Sequence, residues 1–198
     1  MQQDRVTVPV PRKSLRLAIL LFVCAFIGTG GLGAQQFKPT EYQVEAAYLY
    51  NFGRFIQWPP AAANQDEAFP ICVIGQDPFG PILDTTFAGK TLNGKPVAAV
   101  RIEKPQDATH CRILFIDATQ EKHLEEILSA TSQVSVLTVS NIADFSTRGG
   151  MIQFVLADNR VRFQVNRSRA EHVGLTLSSD LLKVAISVTG TTNPGPGE

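Results

Sequence analysis

From Glu41 onward the apolar positions first recur every three or four residues. Val44, Tyr48, Leu49, Phe52, Phe55 and Ile56 fall on one arc about 140° wide, with Gln43, Arg54 and Gln57 opposite. This spacing predicts a helix over 41–58, closed by Trp58 and the Pro59-Pro60 pair that cannot continue it. Past an Ala-rich polar connection the pattern changes to short apolar runs. Ile71 to Gly75 reads as a first strand, and Pro78 to Phe87 as a helix that begins on a proline, where the missing N–H costs little. Asn93-Gly94 marks a turn before a second strand, Val97 to Ile102. Arg112 to Ile116 is a third strand, Gln120 to Ser129 a helix carrying Leu124, Ile127 and Leu128, and Val134 to Val139 a fourth strand before a helical or looped stretch through Phe145. Met151 to Leu156 and Val161 to Val165 flank Ala157-Asp158-Asn159-Arg160, a β-hairpin pattern. Helical pieces follow around Ser168 to Val173 and Ser179 to Ser187.

Alternating strands and helices predict an α/β fold: a largely parallel or mixed sheet flanked by helices on both faces, with a C-terminal β-hairpin at one edge. No internal repeat is evident.

The first 34 residues behave differently. Arg12, Lys13 and Arg16 precede an apolar run from Leu17 to Ile27, and small residues lead to Ala34, which is the order of a secretory signal peptide. The run is shorter than the roughly 20 residues of a membrane span and breaks into Gly28, Gly30, Gly31 and Gly33. Cys24 follows Val23, where lipid attachment needs Gly or Ala. The expected organisation is therefore a signal peptide over 1–34, cleaved on export, one α/β domain over 35–190, and a disordered Gly/Pro/Thr tail over 191–198.

Removing 34 of the 198 residues leaves 164, with 14 basic and 17 acidic side chains. A net charge near −3 points away from nucleic acid or an anionic membrane surface and toward a protein or small-molecule partner. Cys72 and Cys111 are the thiols left after cleavage. In an exported protein an even pair is read first as a disulfide, the alternative being two buried free thiols.

The sequence carries no assembled catalytic motif. Gly28-Thr29-Gly30-Gly31-Leu32-Gly33 fits G-x-G-x-x-G, but it follows an apolar leader instead of a strand and opens no βαβ unit. His110, His123 and His172 lack metal-ligand spacing, no serine sits in a G-x-S-x-G elbow, and Glu125-Glu126 lie on the polar side of a helix. No catalytic residue, metal or cofactor is assigned. Gly75 and Asp77 after the first strand are weak ligand-binding candidates, because ligands of open α/β sheets gather beyond the carboxyl ends of strands. The plainer reading is that Asp77 caps the next helix.

Taken as a unit, EYQVEAAYLYNFGRFIQWP over 41–59 resembles the opening helix of the YfiR-like family of exported bacterial proteins. The resemblance continues through FPICVIGQDPFG, THCRILFID, GGMIQFVLADNRVRFQVN and GLTLSSDLLKVA, and so spans most of the exported chain. It departs at Glu45, where a basic residue is expected. The resemblance implies a periplasmic homodimer, without cofactor or enzymatic activity, that holds an inner-membrane diguanylate cyclase inactive by binding its periplasmic sensor region, and that an outer-membrane OmpA-like lipoprotein sequesters in turn. Lower cyclic di-GMP and less biofilm would follow. Asn51, Arg54 and Trp58 on the first helix, and Arg160, Arg162 and Asn166 on the hairpin, are the candidate partner-binding residues, although Phe52, Phe55 and Trp58 also read as core anchors. The competing expectation is a small-molecule-binding protein or enzyme that uses the crevice after the first strand.

Overall fold

A computed structural model describes residues 40–60 and 67–190. The expected signal peptide and the C-terminal tail lie outside them. The first helix, α1, spans Glu41–Phe55 and opens on a capping box: Thr40 Oγ1 accepts from the Gln43 N–H, and Gln43 Oε1 accepts from the Thr40 N–H. It ends three residues earlier than the periodicity suggests. Ile56–Gln57 is instead a short strand, β1, because Pro59 and Pro60 remove helix donors and hold the preceding residue extended. The buried side of α1 is formed by Glu45, Ala46, Leu49, Phe52 and Gly53. Phe55, expected in the core, is 37% exposed, while Trp58 is buried edge-on against Phe69 with ring centroids 5.2 Å apart.

The chain continues through β2 (Phe69–Ile74), α2 (Pro81–Phe87), β3 (Thr91–Leu92), β4 (Lys95–Ile102), a 3-10 turn at Pro105–His110, β5 (Ile113–Ile116), a second 3-10 turn at Ala118–His123, α3 (Leu124–Ala130) and β6 (Leu137–Ser140). It closes with β7 (Ile152–Ala157), β8 (Arg160–Asn166), α4 (Arg167–His172), β9 (Thr176–Leu177), α5 (Ser179–Val184) and β10 (Ser187–Thr189). Eight strands form one mixed sheet in the order β10-β8-β7-β6-β5-β2-β4-β3, and β1 pairs antiparallel with β9. Strands β4, β2, β5, β6 and β7 run parallel, β8 reverses, and β3 reverses at the far edge. The β7–β8 hairpin is not the edge it was expected to be, because β10 adds outside β8 in parallel. Both tight turns place consecutive residues at positive φ, Asp158 (50°) with Asn159 (56°) and Asn93 (52°) with Gly94 (78°), as a two-residue hairpin loop requires.

The parallel strands are covered on both faces, so alternate residues enter two different cores. Ile71, Val73, Ile113, Phe115, Leu137 and Val139 meet α1, α2, α4 and α5 on the first face. Cys72, Ile74, Leu114 and Ile116 meet α3 and the 105–110 turn on the second. Helix α1 is fixed by rings: Phe52 lies 5.9 Å from Phe154 and 5.2 Å from Phe163, and Tyr48 touches the same pair. Gly53 is required where α1 crosses the sheet, since a Cβ there would sit 2.4 Å from Leu92 Cδ1.

Candidate functional site

From β2 the chain passes first to β4 on one side and later to β5 on the other, so the strand order reverses at β2, where the carboxyl ends leave a crevice in open α/β sheets. Gly75 and Asp77 stand there, as expected. The segment after β5 packs closely against Gly75. Gly75 has φ 101°, and a Cβ on it would meet Gln120 Cγ at 2.8 Å and Thr119 Oγ1 at 2.9 Å. Asp117 accepts from the Thr119 N–H at 2.9 Å and from its hydroxyl at 2.6 Å, and Thr119 Oγ1 accepts from the Gln76 N–H at 3.2 Å.

Asp77 does not cap α2, whose N-cap is Gly80. Its Oδ1 accepts from the Phe79 N–H at 2.8 Å and its Oδ2 from Arg101 Nε at 2.9 Å, so both oxygens serve the β2–α2 turn. The Arg101 guanidinium also forks onto Asp84 at 2.9 and 3.1 Å and donates to the Gly80 carbonyl at 2.8 Å. That fork, more than any other influence, holds the Asp84 carboxyl below its usual range. Gly75→Ala is expected to destabilise the protein by about 1–3 kcal/mol through strain at positive φ. Asp77→Ala is expected to cost about 1 kcal/mol. Chemical denaturation of the two variants measures both.

Further along the sheet, α1, the carboxyl end of β6 and strand β7 border an open groove of about 340 Å³, lined by Glu41, Glu45, Asn141, Gln153, Phe154 and Leu156 among others. Glu45 belongs to the apolar side of α1, one turn before Leu49, and is 1% exposed. Its Oε2, like Asn141 Oδ1, is buried without a hydrogen-bond partner among the described residues. Burial, with the Glu41 and Asp117 carboxylates adding to it, pushes the Glu45 carboxyl up to about 8. Neither Glu45 nor Asn141 was singled out as a ligand group from the sequence. The available signal is an acidic residue on the apolar stripe of a helix, at the position where the chain departs from the basic residue the resemblance leads one to expect.

Cys72 in β2 and Cys111 at the end of the 105–110 turn form a disulfide, with Cα atoms 5.9 Å apart. Cys72 stands opposite Leu114 in the β2–β5 register, so Cys111 reaches it from ahead of the strand, within the second core. A second groove of about 580 Å³ runs beside the bond, bordered by Arg101, Lys104, Asp107 and His110.

The candidate partner residues fall into separate places. Arg54 is exposed on α1 with its guanidinium 5.9 Å from the centre of the Phe55 ring, and Asn51 is half-buried on the same helix. Arg160 and Arg162 are exposed on β8, on the opposite strand face from Val161, Phe163 and Val165, which pack under α1. The sheet therefore lies between Arg54 and the two hairpin arginines. Trp58 is in the core. Asn166 is used internally: its Oδ1 caps α4 through the Arg169 N–H, and its amide donates to the Ser146 carbonyl at 2.8 Å.

Among solved structures, a conserved domain protein from Vibrio cholerae O1 biovar El Tor is similar with a TM-score of 0.53 at 11% identity, over 75% of this chain and 60% of that one. This likeness is one of fold, and the chain spans 60% of that protein's length. The ABC domain from Streptococcus pneumoniae, solved in complex with L-Trp, aligns at 11% identity over 61% of this chain and 55% of its own, with a TM-score of 0.46. The family model described as YfiR/HmsC-like matches residues 42–186, which takes in α1, the parallel strands, the disulfide and the hairpin. With that span matched, this chain belongs to the YfiR/HmsC-like family.

Proposed function

We propose that the protein is a periplasmic binding regulator that represses an inner-membrane diguanylate cyclase through the cyclase's periplasmic sensor region, lowering cyclic di-GMP and biofilm formation. The observation that carries this reading is the family match over residues 42–186, a family of periplasmic regulators of diguanylate cyclases rather than of enzymes. Two features support it. No helix among the described residues is long and apolar enough to cross a membrane. At the switch point, where an α/β enzyme keeps its substrate, Thr119 and Gln120 pack closely against Gly75. The protein acts as a homodimer and is sequestered in turn by an outer-membrane OmpA-like lipoprotein. Residues 1–34 are its export signal.

Because Arg54 and the hairpin arginines lie on opposite sides of the sheet, a sensor region that covers one group leaves the other for a second contact. Deleting the gene is expected to raise cyclic di-GMP and biofilm, and the purified protein is expected to enrich a membrane diguanylate cyclase from solubilised membranes. Of Arg54→Ala and Arg162→Ala, the one whose side the sensor region covers should weaken that capture by about tenfold, whereas Asp77→Ala, which loosens only an internal turn, should leave it intact. Unchanged cyclic di-GMP in the deletion strain across several growth conditions, with no cyclase captured, overturns the reading.

A further inference from the structure

We propose that the groove between α1, the carboxyl end of β6 and strand β7 is a binding site for a small organic ammonium, an amine cation on a short apolar body, with Glu45 as its counter-ion and Asn141 as its second acceptor. The inference is independent of the regulatory reading, since neither its ligand nor its test involves a cyclase or a membrane.

The buried polar atoms left unmatched at the groove are a carboxyl oxygen and an amide oxygen, both acceptors once Glu45 is ionised. Glu45 Oε2 and Asn141 Oδ1 are both buried and lack donors among the described residues. A buried acceptor without a donor costs about 1–3 kcal/mol, and more when it bears charge. Glu45 occupies a position on the α1 stripe, four residues before Leu49 and seven before Phe52, where an apolar side chain would fill the same space. Charge of one sign faces it. Glu41 stands on the same helix, Asp117 follows β5, and the hairpin wall from Gln153 to Leu156 is uncharged. A ligand made only of donors and bearing positive charge matches this set.

The walls select among cations. Phe154 and the 60% exposed Leu156 offer apolar surface beside the carboxyl, which suits an alkyl body and not a hydrated ion. No cluster of three or more His, Cys, Asp or Glu side chains among the described residues has the geometry to hold a metal. The groove's volume of about 340 Å³ lies at the small end for ligand sites, enough for a molecule of several carbons.

Binding has a proton signature. Below pH 8 the empty site holds Glu45 protonated; the ammonium arrives with its own proton, so pairing releases the carboxyl proton to solvent. The probe is n-hexylammonium chloride, titrated calorimetrically into the purified protein at a pH of about 6.5 in two buffers of different ionisation enthalpy. Saturable binding is expected with release of close to one proton, and with affinity rising as the pH is raised toward 8. Glu45→Gln should weaken binding at least about tenfold and abolish the proton release, and n-hexanol should bind at least about tenfold more weakly than the ammonium. Asn141→Ala should weaken binding by about threefold and keep the proton release, a check that does not depend on the Glu45 variant folding. No saturation by hexylammonium, equal binding of hexanol, calcium binding in its place, or unaltered affinity in Glu45→Gln each overturns the proposal.

Discussion

Raising the pH from 4.5 to 8 should strip roughly 3–5 kcal/mol from the folding stability of this protein through Glu45 alone. In the unfolded chain Glu45 gives up its proton near its ordinary value of 4.5, whereas in the folded protein it holds the proton to about 8. Below 4.5 both states are protonated and the full stability is present. Between 4.5 and 8 the unfolded state alone is ionised, so each pH step favours unfolding, and above 8 the loss is complete. The effect is large because the carboxyl is 1% exposed and its charge would be unpaired. Glu45→Gln keeps the shape and removes the titration. Urea unfolding of both proteins from pH 4 to 9 should give a flat curve for the variant relative to wild type, with nearly equal stabilities at the acid end and the variant ahead by several kcal/mol at the alkaline end. Parallel curves for the two proteins would place Glu45 in water. Asp84 acts with the opposite sign, since its lowered value makes the Arg101 pair help above the ordinary carboxylate range and fail below it, and its 57% exposure keeps that contribution small.

Glu45 also shows what a sequence hides. The helical period of residues 41–55 was legible because its apolar stripe is long, yet the stripe's own edges were not: Phe55 turns outward and Glu45 inward. Periodicity assigns a residue to a face from its hydrophobicity, so a polar residue on the buried face is assigned to solvent by construction. The central strands and the β7–β8 hairpin were readable for a related reason. Buried parallel strands are continuous apolar runs, and Asp158-Asn159 is a turn pair suited to positive φ. Strands β1, β3, β9 and β10, two or three residues long, carry no period at all and exist only through their partners. Asp77 was legible as a residue with a task after β2, but its partner Arg101 lies 24 positions away on β4 and nothing local announces it.

The same contrast applies to the candidate surfaces. Arg54, Arg160 and Arg162, three of the candidate partner-binding residues, are exposed. Their division between two sides of the sheet depends on strand register, which a one-residue slip would invert. Asn166, another of those candidates, gives its amide to the segment between β6 and β7: Ser146 both receives that amide on its carbonyl and donates to Gln153 and Gln164.

Removing the disulfide should destabilise the protein by about 4 kcal/mol, the loop-closure value for cysteines 39 positions apart, and lower the melting temperature by roughly 10 °C. The closed loop contains the whole excursion through α2, β3 and β4 that separates β2 from its neighbour β5. Reduction therefore restores to the unfolded chain the freedom of a segment whose ends must meet before the centre of the sheet can pair. Both sulfurs lie in the second core at 1% exposure, so Cys→Ser would add a second cost by burying hydroxyls. Cys72→Ala with Cys111→Ala confines most of the loss to the cross-link. Native protein prepared without reductant should show no thiol reactive after unfolding, and the double variant and the reduced wild type should melt within a few degrees of each other, well below the oxidised protein. Two titratable thiols in the untreated protein, or melts that coincide in all three samples, would show that the central strands are held together by packing alone. A shared decrease instead assigns part of the fold's stability to a bond that only an oxidising compartment maintains, which ties this protein's stability to export.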